Sequence, residues 1–205
     1  MKQQIPIYVA VEDAVSESVV RKLLRECRRN YVISLIYPAR GFGYLRANID
    51  AFNKVARVIP FLLLTDLDQI ECAALLIRNW LPGNKHHNLI FRVAVREVES
   101  WLMADRNNFT RFLGISKSHI PTSPEEVDDP KKVLINAAKR SKKKKLKRDI
   151  VPPEGSPRIQ GPNYNERMTE FVENHWHPEI ARDKSDSLDR TMKALDEFEP
   201  VRLEG

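Results

Sequence analysis

The sequence is poor in cysteine, with only two in 205 residues. Cys27 and Cys72 fall within apolar helical patterns, which predicts two core residues and argues against a disulfide framework or a thiolate metal site. No apolar run approaches the roughly 20 residues that a membrane helix requires. The amino terminus also lacks the apolar stretch and small-residue cleavage site of a secretory signal. We therefore expect a cytoplasmic protein with no membrane partner.

Motifs for nucleotide and zinc binding are also missing. The Gly-Phe-Gly segment at 41–43 lacks the third glycine of a dinucleotide fingerprint and the lysine of a phosphate-binding loop. The sequence therefore supports no nucleotide-binding site. The histidine pairs at 86–87 and at 175 and 177 lack neighbouring cysteines and the helical HxxxH spacing, which argues against zinc.

The chain carries an excess of positive charge. Its 42% hydrophobic and 30% charged residues are ordinary for a soluble globular protein. The formal charge of +6 and the pI near 9.3 favour an anionic partner, either nucleic acid or an acidic protein, although such a charge could also serve solubility alone.

Much of this charge lies in the basic run KRSKKKKLKR at 139–148, which packs eight basic residues into ten positions. Such a run can contact several phosphates, and the absence of interleaved aromatic residues favours backbone contact over base stacking. The alternative is a solvated, partly disordered charge run. The predicted nucleic-acid contacts are Lys142, Lys143, Lys144, Lys145, Lys147 and Arg148.

The first 105 residues alternate short apolar runs with amphipathic stretches, which is typical of βαβ units around a mostly parallel sheet. Ser16 is available as the N-cap of the first helix, and a loop through 41–43 leads to the second. All four strands are too apolar for an exposed edge. The predicted strands are Ile5 to Val11, Tyr31 to Tyr37, Pro60 to Leu64 and Leu89 to Val95.

Beyond Asp105 the strand signals stop. Asp129 with Pro130 predicts an N-cap and the first residue of a helix, residues 149–165 should be loop, and two helices close the chain. The expected fold class is α/β, with a mostly parallel four-stranded sheet flanked by helices. We expect a core over 1–105 and a helical, proline-rich extension over 106–205, packed together as one compact domain.

Three acidic segments follow predicted strands: VEDAVSE at 11–17, TDLDQ at 65–69 and REVES at 96–100. A parallel sheet can bring several strand ends to one edge. Close carboxylates repel each other by roughly 4 kcal/mol per pair in an intermediate dielectric, so such a cluster usually needs a cation. We expect Mg²⁺, with Mn²⁺ as a substitute.

Within these segments Glu12, Asp66 and Asp68 are the strongest candidates for metal ligands. Glu12 follows the first strand, where ligands of open α/β sheets bind, although it could equally be an exposed residue favoured by a helix dipole. The two-residue spacing of Asp66 and Asp68 in extended chain would send both carboxylates to one side. Their alternative roles are a helix cap and a solvated side chain.

The third segment contributes Glu97 and Glu99. In a helix their spacing would point them about 200° apart, so we expect only one to face the cleft. Arg96 is expected to form an ordinary salt bridge, and Trp101 and Leu102 are expected in the core.

The segments VEDAVSESVVRKLL, FLLLTDLDQ and VREVESWLMAD resemble the glutamate, DxD and late acidic motifs of the Toprim fold, over about residues 5–105. The likeness is to small Toprim-like proteins related to the overcoming-lysogenisation-defect nucleases and to abortive-infection subunits. The tail NHWHPEIARDKSDSLDRTMKAL resembles the C-terminal stretch of some of them. The chain departs from the usual pattern at Asp13, where a glycine normally follows the glutamate, and at Glu17, one residue later than usual.

The resemblance implies a metal-dependent phosphodiester hydrolase, a nuclease acting on DNA or RNA, with a role in phage defence beside a separate ATPase subunit. Glu12 would be a metal ligand or general acid/base, and Asp66 and Asp68 would be the DxD ligands. Glu99, followed by Glu97, would match the late acidic ligand. One or two Mg²⁺ ions would orient a water and stabilise the leaving oxygen.

Two other functions remain open. The chain could be a non-catalytic nucleic-acid-binding or regulatory subunit, with the acidic edge facing a partner. A phosphatase with Asp66 as nucleophile is less favoured, because the segment DLDQ lacks the small-residue and threonine context of such enzymes.

Overall fold

The structure is a computed structural model that describes residues 3–201. This part of the chain contains a four-stranded, all-parallel sheet with the order β2-β1-β3-β4, flanked by helices. The strands are β1 (Gln4–Ala10), β2 (Asn30–Ile36), β3 (Phe61–Asp66) and β4 (Leu89–Ala94). The predicted α/β class with a four-stranded sheet is therefore confirmed.

The α-helices follow the strands and then fill the rest of the chain. They are α1 (Ala14–Glu26), α2 (Gly41–Val55), α3 (Ala73–Trp80), α4 (Val98–Ala104), α5 (Arg106–Leu113), α6 (Pro130–Ala138), α7 (Lys144–Ile150), α8 (Tyr164–Asn174), α9 (Pro178–Ala181) and α10 (Asp186–Glu197). None of the helices within residues 3–201 combines the length and the apolar character needed to cross a bilayer.

The chain forms two compact units, residues 3–94 with 190–201 and residues 95–189. The first unit contains the whole sheet and helices α1 to α3, and the second contains α4 to α9. The boundary between residues 189 and 190 falls within α10.

The core of the first unit is the pair of central strands β1 and β3. Ile7, Val9 and Leu63 are fully buried there, and α1 buries the face that carries Val15 and Val19. Each such side chain contributes roughly 1.5–3 kcal/mol of hydrophobic stabilisation. Their burial on both sheet faces explains why the strands appear in the sequence as continuous apolar runs.

One strand contradicts the expectation that every strand is too apolar for an exposed edge. β2 is an edge strand in which Val32 is 42% and Leu35 is 41% exposed. Apolar composition indicates that a strand packs against neighbouring elements, but it does not indicate whether the strand lies at the edge or in the centre of the sheet. The prediction was therefore wrong for β2.

Several local predictions need correction at helix ends. Asp13 is the N-cap of α1, since its side chain accepts a hydrogen bond from the Ser16 N–H, so Ser16 is not the cap. The Gly-Phe-Gly segment at 41–43 is the first turn of α2 and not a loop. Cys27 is half-buried at the end of α1, and Cys72 is exposed just before α3. The two cysteines are not core residues, because both lie just outside the helices.

Predictions in the carboxyl-terminal half are confirmed where strong local signals exist. Asp129 caps α6 by accepting from the Lys132 N–H, and Pro130 is the first helical residue. Trp101 and Leu102 are fully buried. The last helix predicted from the sequence is present as α10, and its apolar face is buried; this face comprises Leu188, Met192 and Leu195 and is continued by Phe198.

Candidate functional site

Glu12 and Asp66 meet at the carboxyl ends of the two central strands. Glu12 follows β1, and Asp66 is the last residue of β3. The Glu12 Oε1 atom accepts a hydrogen bond from the Asp66 backbone N–H at 2.8 Å and another from the Thr65 hydroxyl. The Glu12 backbone carbonyl also accepts from the Gly41 N–H at 3.0 Å, which fixes the loop against the start of α2.

The topology of the sheet places Glu12 and Asp66 where the strand order reverses. From β1 the chain crosses to β2 on one side, and from β2 it returns past β1 to β3 on the other. Since such crossovers are nearly always right-handed, the two connections are expected to run over opposite faces, an arrangement that in open α/β sheets leaves a crevice between the ends of the two central strands. Ligands of open α/β sheets bind at this switch point, and Glu12 and Asp66 lie at it.

The Glu12 carboxyl has an altered proton affinity. Burial raises its pKa, and repulsion from the Asp68 and Asp13 carboxylates raises it further, while the hydrogen bonds from Thr65 and Asp66 act in the opposite direction. The free-energy cost of ionising Glu12 therefore comes from desolvation of its carboxylate and from repulsion by neighbouring negative charges. A cation at this position would compensate for both.

Asp68 lies near Glu12 but not for the reason that the strand spacing suggests. β3 ends at Asp66, and Asp68 adopts a left-handed backbone conformation with φ 49°. Aspartate enters this region at a cost of roughly 1–2 kcal/mol, and such strain is commonly found at functional sites. The direction of its carboxylate is therefore set by this turn, and the two-residue strand period does not apply.

The three carboxylates of Glu12, Asp66 and Asp68 suit a magnesium ion that keeps several of its water ligands. Within residues 3–201, no group of three or more His, Cys, Asp or Glu side chains is placed to hold a metal ion. Mg²⁺, however, usually keeps several waters and is bound by one or two carboxylates together with substrate phosphates. Glu12, Asp66 and Asp68 offer carboxylate oxygens, the ligands that Mg²⁺ prefers. They fit an open site of that kind but not a closed three-residue cage.

The two acids of the third segment lie in the second unit and converge on Lys131. Glu97 Oε2 accepts from the Lys131 backbone N–H at 2.7 Å. Glu99 is only 2% exposed; its Oε1 accepts from the Tyr164 hydroxyl at 2.8 Å and lies 3.3 Å from Lys131 Nζ. The expectation that the two side chains point apart was wrong, because Glu97 is the extended N-cap of α4 and not a helical residue.

Sequence reasoning did not identify Lys131 or Tyr164. Lys131 Nζ also lies 5.7 Å from the centre of the Tyr164 ring, so the three groups Glu99, Lys131 and Tyr164 form one cluster. Tyr164 is 65 positions from Glu99 along the chain, and no local motif connects them. Only the packing of α4, α6 and α8 brings them together.

The Glu97 carboxyl should make stability depend on pH. Burial, followed by repulsion from Glu99, raises its pKa from 4.5 to about 7. The folded state therefore binds a proton more tightly than the unfolded state, and stability falls as pH rises from about 4.5 through 7. We expect Glu97→Gln to remove this loss and to stabilise the protein by about 1–2 kcal/mol at pH 8, after solvent screening of a partly exposed group.

Urea unfolding at pH 5 and at pH 8 measures this effect. Glu126→Gln replaces an exposed acid in the same unit and serves as the control. A stabilisation by Glu97→Gln that is equal at the two pH values would contradict a raised pKa.

Residues 144–148 of the basic run belong to α7, and the cations of the run differ in their contacts. Lys143 Nζ donates to the backbone carbonyls of Phe112 at 2.7 Å and Arg111 at 3.2 Å, at the end of α5. Its side chain also packs against Gly114, where a Cβ atom would lie 3.3 Å from Lys143 Cε. Lys143 therefore stabilises the α5 terminus, where a cation is also favoured by the helix dipole. Lys142, Lys144, Lys145, Lys147 and Arg148 are exposed.

Two substitutions should separate these roles. Lys143→Met is expected to lower the free energy of unfolding by about 1 kcal/mol, because two helix-end carbonyls lose a donor. Lys145→Met should leave stability unchanged. If Lys145 contacts a phosphate, its replacement should reduce the slope of log K against log salt by about 0.9 for duplex DNA. Thermal melts and salt titrations of binding measure the two effects, and equal melting temperatures for both variants would rule out the role given to Lys143.

Comparison of the chain with protein-family models, with curated proteins and with solved structures finds no match. A fold by itself does not determine an activity, so the chemistry of Glu12, Asp66 and Asp68 carries the functional assignment.

Proposed function

We propose that the first unit is a Toprim-type core that binds Mg²⁺ through Glu12, Asp66 and Asp68 and hydrolyses phosphodiester bonds in DNA or RNA. The supporting observation is the hydrogen bond from the Asp66 N–H to Glu12 at the point where the strand order reverses. These residues are also the ones whose sequence segments resemble the Toprim motifs. The assignment of Glu97 and Glu99 to the same ion stays a prediction from the sequence.

The residues of the site have separable tasks in this proposal. Thr65 and Asp66 hold Glu12 Oε1, so the carboxylate is oriented before substrate arrives. Glu12 Oε2 accepts no hydrogen bond from any residue between 3 and 201 and is the oxygen offered to an ion or a water. Burial raises the pKa of Glu12, so a cation bound beside it would favour the ionised carboxylate.

The metal contributes what these side chains lack. Bound Mg²⁺ would neutralise phosphate oxygens and lower the pKa of a coordinated water. Asp68, at the exposed turn after β3, would bind the same ion as Glu12, whose pKa its carboxylate helps to raise.

Metal binding is tested without assuming a substrate. MgCl₂ added to metal-free protein is expected to stabilise the folded state by about 2.7 kcal/mol at 100 times the dissociation constant. Glu12→Gln should abolish most of this stabilisation, and EDTA should reverse it in the wild type. Differential scanning calorimetry gives the measurement.

The control is Asp50→Asn, which removes an exposed carboxylate from α2 in the same unit. It should keep the full stabilisation. An equal Mg²⁺ effect in wild type and Glu12→Gln would show that the ion binds elsewhere.

A non-catalytic nucleic-acid-binding subunit is the second candidate. It is favoured by the exposed cations of α7 and by the absence, within residues 3–201, of a three-residue metal group. Salt-sensitive binding of DNA or RNA by a chain that shows no Mg²⁺ or Mn²⁺ stabilisation would select it. A place in phage defence beside an ATPase subunit rests on the resemblance.

A further inference from the structure

The second unit contains a cavity of about 330 Å³ beside the first turn of α5. This volume lies within the ~300–1,000 Å³ typical of small-molecule sites. Pro121 and Ile180 contribute apolar surface to its wall, and Arg106, Asn107 and Lys184 contribute polar groups. Ile180 is 50% exposed, so an apolar side chain is open to solvent beside these polar groups.

The guanidinium of Arg106 is incompletely paired. Its Nη2 donates to the Lys117 carbonyl at 2.6 Å, but its Nε is buried with no hydrogen-bond partner. It is the one buried side-chain nitrogen or oxygen without a partner in the part of the chain that the structure describes. Folded proteins rarely leave such a donor unsatisfied, so this guanidinium has donor capacity beyond its bond to Lys117.

The charge on the cavity wall favours an anion. Arg106 and Lys184 place two cations there, against the single carboxylate of Asp183. Among the described residues, Arg106 forms no ion pair with Asp183. The Arg106 guanidinium can therefore still donate hydrogen bonds to another acceptor. The planar guanidinium can donate two parallel hydrogen bonds to a carboxylate or phosphate group, and these bonds are strengthened by the opposite charges.

We propose that this cavity binds a small organic anion. Its carboxylate or phosphate accepts hydrogen bonds from Arg106, with Lys184 adding positive charge. Its apolar portion contacts Pro121 and Ile180. The proposal does not depend on the metal site of the first unit, because every residue that lines the cavity lies between 103 and 184.

Isothermal titration calorimetry in the presence of EDTA tests the proposal, with phenyl phosphate and inorganic phosphate as probes. We expect phenyl phosphate to bind at least tenfold more tightly than inorganic phosphate, because only the aryl compound contacts the apolar wall. Arg106→Gln should weaken phenyl phosphate binding at least tenfold. Asp183→Asn should strengthen it several-fold, since it removes the competing negative charge.

Arg111→Gln is the matched control, because Arg111 is an exposed arginine on the same helix that does not line the cavity. It should bind phenyl phosphate like the wild type. Failure of the wild type to bind phenyl phosphate, or unchanged binding in Arg106→Gln, would overturn the proposal. If circular dichroism shows that Arg106→Gln is unfolded, Lys184→Gln decides. Binding at least threefold weaker supports the site, and unchanged affinity refutes it.

Discussion

Glu12→Gln is expected to lower the rate of Mg²⁺-dependent phosphodiester cleavage by at least about 100-fold. The substitution keeps an oxygen that can accept from Thr65 and the Asp66 N–H, so the local fold should persist. It removes the negative charge that would bind the ion and the basic group that would accept a proton, and a positioned acid or base alone contributes roughly 10²–10⁴-fold. Cleavage of quenched fluorescent DNA and RNA oligonucleotides in MgCl₂ gives the rates.

Asp66→Asn should reduce the rate by a similar factor, because its backbone N–H still holds Glu12 while its carboxylate is lost. Glu17→Gln provides the control within the same acidic segment, since Glu17 pairs with Arg21 on α1. It should retain wild-type activity. Full cleavage by Glu12→Gln, or equal losses in Glu12→Gln and Glu17→Gln, would remove the basis for a hydrolytic site at the ends of β1 and β3.

Lys131→Met is expected to destabilise the protein by about 2–4 kcal/mol. Glu99 is buried and, among residues 3–201, would keep only the Tyr164 hydroxyl as a polar partner after the ammonium is removed. Breaking a buried ion pair typically costs 3–5 kcal/mol, and the 23% exposure of the Lys131 side chain moves the expectation toward the lower end. Guanidinium unfolding at pH 7 gives the change.

A second substitution distinguishes charge from packing. Glu99→Gln in the Lys131→Met background removes the uncompensated charge and should restore at least half of the lost stability, as a double-mutant cycle would show. Lys132→Met is the control, because its exposed side chain lies on the same helix. Equal losses for Lys131→Met and Lys132→Met, or no recovery in the double variant, would contradict the cluster as described.

The sheet could be predicted from sequence because its strands are continuous apolar runs. β3 is buried from Phe61 to Thr65, and an apolar run of this length is typical of a buried strand and too short for a buried helix. Strand order was not predictable in the same way. The exposure of Val32 depends on β2 lying at the edge, which is a property of the whole sheet. Cys72 was misplaced because the helix after β3 begins only at Ala73.

The site was predictable only in part, for a related reason. The proximity of Glu12 and Asp66 could be predicted because parallel strands place their ends at one edge, a rule that needs no knowledge of side-chain contacts. The Thr65 hydroxyl as a partner of Glu12 is a contact across 53 positions and leaves no signal in the sequence. Lys143 and Lys145 differ only in what α5 places beside them, so composition could not separate them.

A crystal soaked in MnCl₂ tests the central claim most directly, because the anomalous signal of Mn²⁺ locates the ion without a substrate. We predict a peak about 2.0–2.4 Å from a carboxylate oxygen of Glu12 and from one of Asp66 or Asp68, with water completing the coordination. A peak elsewhere, or an occupied Mn²⁺ site that lacks Glu12, would contradict the assignment of this sheet edge as a metal-dependent active site.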